Sequence, residues 1–246
     1  MKIIISPAKK MTIDSDTLPA LTEPVFADDA AHLAETLRAM DAKALKTLWR
    51  CSDKLTAENL ERLAVFDPKK AQTPAILAYE GLQYQHLAPA VLARNALDYL
   101  QDHLRILSGM YGVLRLFDAV MPYRLEMQAK LSCDGAQDLY AYWGRRLYEA
   151  LDARDGIILN LASEEYARAI RPYCGPNDRM LTVRFGEISD GRVKQKGTFA
   201  KMARGEMVRF MAEQQIDDLS QLAHFDALGL HYEAALSDDK TMTFLI

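Results

Sequence analysis

At 246 residues, half of them apolar and about a quarter charged, the chain has ordinary globular composition and enough apolar residues for one large core. No run approaches the roughly 18 apolar residues of a membrane span, and Ile3–Ile5 is too short for a signal-peptide core, so a cytoplasmic protein is expected. Three distant cysteines with no CxxC argue against a disulfide framework or structural zinc, and a net charge of −4 against a globally basic nucleic-acid binder.

Charge is unevenly spread all the same. Between Arg168 and Arg209 there are ten Lys/Arg against four Asp/Glu. Such a stretch in an acidic chain fits one cationic surface on an anionic body, and equally a chance cluster of solvated charges.

In chain order, Lys2–Ser6 reads as a short buried strand that delivers Ser6, Lys9 and Lys10 at its end, after Pro7 stops further pairing. Residues 14–27 read as loop. Leu33, Leu37 and Met40 mark an amphipathic helix, and a second starts at Asp41. Thr56 reads as the cap of a third, carrying Leu60, Leu63 and Phe66. "PAILAYEG" suggests a strand entering a turn at Gly81. The leucines at 92, 97, 100, 104 and 107 predict one long helix from Pro89 to about Gly109. "YAYWGRRLYEAL" reads as helix and "GIILNLAS" as a second buried strand. "RMLTVRFGEI" and "RVKQKGTF" predict a hairpin about Ser189-Asp190-Gly191, followed by a helix over 199–215 and a closing strand "TMTFLI". The expected fold is α/β, a single domain over residues 1–246 with a central mixed β-sheet flanked by helices.

Five stretches can carry chemistry. Ser6, Lys9 and Lys10 would stand at the carboxyl end of an interior strand, where α/β folds collect ligands, or simply at an exposed strand end. In "LSGMYGVLRLFDAVMPYRLEM", glycines bracket Met110-Tyr111, and Arg124 with Glu126 suits an anion clamp or a structural ion pair. Ser163, Glu164 and Glu165 look like an ordinary helix start, with Tyr166 available to stack on a ring. Arg192, Lys194 and Lys196 share a strand face, and Lys201 and Arg204 a helix face, a spacing suited to tracking phosphates. "DAKALKTLWRCSDKLTAENLERL" reads helix, turn, helix, with Lys54 beside the turn and no glycine in it. His224, Asp226 and His231 are too few to predict a metal centre, and no nucleotide or hydrolase motif is present, so neither metal nor cofactor is expected.

"IIISPAKKM", "CSDKL", "HLRILSGMYGVLRLFDAVMPYRLEM", "DLYAYWG", "NLASEEYARAI" and "AKMARGEMVRFMAE" occur in the order that they have in the bacterial peroxide stress protein YaaA family, which the chain resembles over nearly its whole length. The resemblance implies a cytosolic protein of hydrogen peroxide resistance that limits free intracellular iron. It also implies binding of double-stranded DNA through a positively charged cleft and a helix-hairpin-helix element, here about residues 42–66. Lys9, Lys10, Lys54, Arg192, Lys194, Lys196, Lys201 and Arg204 are the expected DNA contacts, in a monomer. The chain departs from the family pattern after Gly81, at Leu116 and in its last twenty residues. A fainter similarity of "SPAKK", "LSGMYG…PYR" and "NLASEEY" to enzymes of modified-nucleobase chemistry implies another reading. In it, Ser6, Lys9, Tyr111, Arg124, Glu126 and Tyr166 line one pocket for a small anionic or nucleobase ligand.

Overall fold

The computed structural model describes residues 1–189 and 191–246. The sheet is built on β1 (Lys2–Ile5), whose three isoleucines are fully buried. Pro7 has no N–H to give a neighbour, so the chain leaves the sheet after β1 and resumes as the two-residue β2 (Lys10–Met11). Residues 14–26 are largely irregular, as their composition predicts. α1 (Ala27–Arg38) buries Leu33 and Leu37. The Asp41 carboxylate caps α2 (Ala42–Trp49) by accepting the Ala44 N–H at 2.8 Å. α3 (Asp53–Val65) is capped by Ser52 and not by Thr56, whose hydroxyl donates back to the Ser52 carbonyl at 2.9 Å. Arg50, Cys51 and Ser52 join α2 to α3, with Arg50 in the left-handed region.

Two sequence-based expectations fail in the next segment. "PAILAYEG" is not one strand but β3 (Thr73–Pro74), a single turn α4 (Ala75–Ala78) and β4 (Tyr79–Glu80). Thr73–Pro74 pairs with residues 119–120 while Tyr79–Glu80 pairs with β2, and one helical turn spans the offset. After α5 (Leu82–Leu87), the long helix expected from Pro89 is only α6 (Arg94–His103), and the chain continues as β5 (Leu104–Ser108). Every residue of β5 is buried, and a strand covered on both faces shows no period to set it apart from a buried helix.

β6 (Gly112–Leu114) turns back on β5, and β7 (Ala119–Val120) pairs with β3. The single helix expected near Tyr140 is two, α7 (Leu139–Trp143) and α8 (Arg146–Ala150), broken at Gly144 with φ +51°. Then come β8 (Ile157–Asn160), α9 (Glu164–Ala167) and the hairpin of β9 (Arg179–Ser189) with β10 (Arg192–Lys194). Of the expected hairpin turn, Asp190 lies outside the described residues. β10 ends at Lys194, so Lys196 leaves the strand face and stands at the head of α10 (Gly197–Gln214). β11 (His231–Tyr232) and β12 (Thr241–Leu245) close the chain.

The strand order is β11-β12-β9-β8-β1-β5-β6, with β10 paired to β9. β12, β9, β8, β1 and β5 run parallel and the outer pairings are antiparallel, so the sheet is mixed and eight-stranded, with helices packed on it. One continuous cluster of buried side chains runs from Ile3 to Phe244. β1 has β5 on one side and β8 on the other, so the connections after β1 and β8 diverge and open a crevice at the carboxyl ends.

α10 closes over this end by lying hard against α5. A Cβ placed at Gly205 would collide with the Gln83 carbonyl and crowd the Leu87 N–H, both backbone atoms that cannot swing away. Gly205→Ala should therefore destabilise the fold by about 1–2 kcal/mol, overpacking outweighing the ~1 kcal/mol gained in helix propensity. A chemical-denaturation midpoint checks this, with Gly197→Ala, where nothing lies within 4 Å, as the near-neutral control.

Candidate functional site

The crevice is a cavity of about 530 Å³. Ser6 stands at its floor and ties three elements together. Its Oγ accepts the Ser163 N–H at 2.8 Å and lies 3.1 Å from the Ser163 hydroxyl, which joins the ends of β1 and β8. Its carbonyl accepts the Tyr84 hydroxyl at 3.0 Å and the Gln83 amide at 3.3 Å, which fastens α5 to the same point.

Lys9 and Arg124 meet on one carboxylate. Glu126 is 2.9 Å from Lys9 Nζ and 2.9 Å from Arg124 Nη2, and Arg124 Nη1 donates to the Lys9 carbonyl at 3.4 Å. The Arg124 side chain is only 12 % exposed, whereas Lys9 stands out at 64 %. Lys10 pairs with Glu80 at the rim. Lys201 and Arg204 complete the wall from α10. Burial alone lowers the proton affinity of Arg204, and no hydrogen bond or ion pair to it is found among the described residues.

Tyrosines give the cavity its aromatic face. Tyr84, Tyr123 and Tyr166 all line it. The Tyr123 hydroxyl sits 2.6 Å from Ser108 Oγ and 2.9 Å from the Tyr79 hydroxyl, and Ser108 Oγ also accepts the Met110 and Tyr111 N–H groups. Burial pushes the Tyr123 hydroxyl up to about 12 and those of Tyr79 and Tyr166 well above their ordinary range, so all three remain proton donors at neutral pH. Glu165 faces the same space. Its carboxyl is raised from the usual range first by burial and further by the Glu126 charge, although the Gln128 N–H donates to it at 3.2 Å.

Of the residues expected in a pocket, Ser6, Lys9, Arg124, Glu126 and Tyr166 come together here. Tyr111 does not. It is fully buried, packs on Phe66 and Tyr123, and its hydroxyl accepts the Met121 N–H at 3.1 Å. Of the residues expected on DNA, Lys9, Lys10, Lys201 and Arg204 line the cavity, while Lys54, Arg192, Lys194 and Lys196 do not. Those four are exposed elsewhere, Lys196 pairing with Glu187 at 2.9 Å. Gln83, Tyr84 and Tyr123 are not among the residues expected in the pocket, and only Tyr123, next to Arg124 in "PYR", carries a local signal; Glu165, expected only as part of a helix start, faces the cavity as well.

Behind the cavity, Trp49, Asn59 and Arg124 share a small chamber of about 10 Å³, room for one water molecule. Trp49 Nε1, Asn59 Oδ1 and Arg124 Nε are buried there without a protein partner. His231 faces Glu233, not His224. The group whose donor atoms do converge is His32, Cys133 and Asp134, residues about a hundred positions apart in sequence, with His32 and Asp134 already paired at 2.9 Å.

Tyr123→Phe removes a hydroxyl that serves two buried partners. It should cost about 1–3 kcal/mol, the penalty of stranding Ser108 and Tyr79, while Tyr166→Phe should cost less. Urea-denaturation midpoints of the two variants test the ordering.

A model of the peroxide stress protein YaaA family matches residues 1–236. A UPF0246 protein of Lactiplantibacillus plantarum is 50 % identical over 245 residues, covering 100 % of this chain and 99 % of the relative. UPF0246 proteins of Pediococcus pentosaceus and Lachnoclostridium phytofermentans are 50 % and 46 % identical, again over the whole of this chain and 98 % and 96 % of theirs. With the family model over residues 1–236 and relatives matched over nearly their full length in agreement, the chain belongs to the peroxide stress protein YaaA family.

Proposed function

We propose that this protein serves peroxide defence in the cytoplasm by holding double-stranded DNA through the phosphate backbone at the cleft. The observation that carries the reading is the convergence of Lys9, Lys10, Arg124, Lys201 and Arg204 on one cavity, with Arg204 left without a carboxylate. Three acids, Glu80, Glu126 and Glu165, share the lining, so cations are in excess at the mouth. Lys54, Arg192 and Lys194 are exposed outside the cavity and would be further, separate phosphate contacts, and the α2–α3 pair is the candidate helix-hairpin-helix. In that pair the Leu55 N–H is already taken by the Ser52 hydroxyl at 3.4 Å, so phosphate contacts there fall to the other donors at the head of α3 and to Lys54. Shielding DNA limits oxidative damage directly, and any effect on free iron is then indirect.

Fluorescence anisotropy with a labelled duplex tests the reading. Binding should weaken steeply as salt rises from 50 to 200 mM, by about tenfold for each two or so phosphates neutralised. Lys201→Glu should weaken it further and flatten the salt dependence. Absence of binding at 50 mM salt, or an affinity indifferent to salt, overturns the proposal.

A second reading is favoured by the cavity itself. Its volume lies in the small-molecule range, its wall is tyrosine-rich, and Glu165 is a carboxyl of raised proton affinity facing the space. Those features suit an enzyme or binder of a nucleobase or nucleotide, with Arg124 and Arg204 on the anionic end.

A further inference from the structure

Arg204 and Glu165 line the same cavity, and neither is in contact with an opposite charge among the described residues. Arg204 Nε is buried and has no acceptor among the described residues. Glu165 accepts the backbone N–H of Gln128 at 3.2 Å and is also hydrogen-bonded by the Met127 backbone, with Lys9 the cation that acts on it, yet burial still raises its proton affinity. Of the other charges of the lining, Lys9 and Arg124 are matched on Glu126 and Lys10 on Glu80, while Lys201 is exposed to solvent. The half-buried guanidinium loses hydration that no described residue restores, and the half-buried carboxylate recovers only part of its own from backbone N–H groups and the Lys9 charge. They do not cancel each other, since no contact joins them. The wall they share carries Tyr84, Tyr123 and Tyr166, and Leu82 and Pro7 add apolar surface.

We propose that the ligand of this cavity is a nucleoside monophosphate. Its phosphate lies against Arg204, its base lies on the tyrosines, and an N–H of the base donates to Glu165. This deepens the second reading above and rests on the cavity being a phosphate site. A ligand with only an anion would leave Glu165 still desolvated beside added negative charge. One with only a base would leave Arg204 unsatisfied. Joining both groups across an aromatic platform satisfies the two ends at once.

Calorimetric and thermal-shift titrations of the full chain with inorganic phosphate, ribose 5-phosphate, adenosine 5′-monophosphate and nebularine 5′-monophosphate test it. Nebularine differs from adenosine by lacking the exocyclic amino group. The adenosine nucleotide should bind at least about tenfold tighter than ribose 5-phosphate, and tighter than the nebularine nucleotide, the tenfold step equalling about 1.4 kcal/mol. Glu165→Gln should cut the adenosine nucleotide's affinity about tenfold while leaving inorganic phosphate and the nebularine nucleotide unchanged. Arg204→Met should abolish binding of all four, and Arg204→Lys, which keeps the charge, should restore part of it if the loss is not one of folding. No binding of phosphate or of any phosphorylated probe overturns the phosphate-site reading itself. Phosphate binding without gain from the base, or an adenosine nucleotide indifferent to Glu165→Gln, overturns this proposal alone.

Discussion

The structure hangs on a strand that is covered on both faces, paired on both edges, and then cut off by a proline. Ile3, Ile4 and Ile5 give β1 nothing polar to offer except its backbone, and parallel ladders to β5 and β8 consume that. Pro7 cannot continue the ladder, so the next polar group, Ser6, must be satisfied where the sheet ends. It is satisfied by Ser163, in the segment that leaves β8 for α9, and by Gln83 and Tyr84 from α5. The same knot that terminates the central strand thus fixes the floor of the cleft. Lysines follow Ser6 because the chain there has left the core and has open space in front of it.

Electrostatics at this end are arranged by sharing. One carboxylate, Glu126, serves both Lys9 and Arg124, so two positive charges are held with only one negative charge between them. The exposed part of that arrangement contributes little to stability, since a pair with one partner largely in solvent gains little from it. Its buried part does more for position. Arg124 cannot leave Glu126 without stranding a guanidinium among Trp49, Asn59 and Tyr123, so its planar fork is presented to the cavity in one orientation.

Local signals made much of this visible in advance. The strands β1 and β8 are short apolar runs bounded by polar residues, α2 starts at an ordinary Asp cap, and the β9–β10 hairpin follows from its alternation and turn residues. β5 was hidden because its leucines extend the spacing of α6, and burial on both faces removes the alternation that would have marked a strand. Tyr111 misled for a related reason. Its flanking glycines answer to close packing, Gly109 against the Leu125 carbonyl and Gly112 against Leu147, Phe26 and Trp143, rather than to a ligand. Glu165 was masked by a sufficient local account, an acid in the first turn of a helix. Gln83 and Tyr84 face the cleft only because α10 presses on α5 at Gly205, a contact no short stretch of sequence announces.

The distribution of unmet polar groups argues for where the molecule works. Five buried side-chain atoms lack a hydrogen-bond partner among the described residues: Trp49 Nε1, Asn59 Oδ1, Arg124 Nε, Glu126 Oε1 and Arg204 Nε. Glu126 Oε1 touches Arg124 Nη2 at 2.9 Å without hydrogen-bond geometry, and the other four have no such contact. All five belong to residues lining the cleft or the small chamber behind it, while the rest of a large core is satisfied. Each buried group of this kind costs on the order of 1–3 kcal/mol if left bare. Among the described residues the unmet polar groups thus gather at the chamber, which has room for solvent, and at the cleft, where the proposed ligand would meet them.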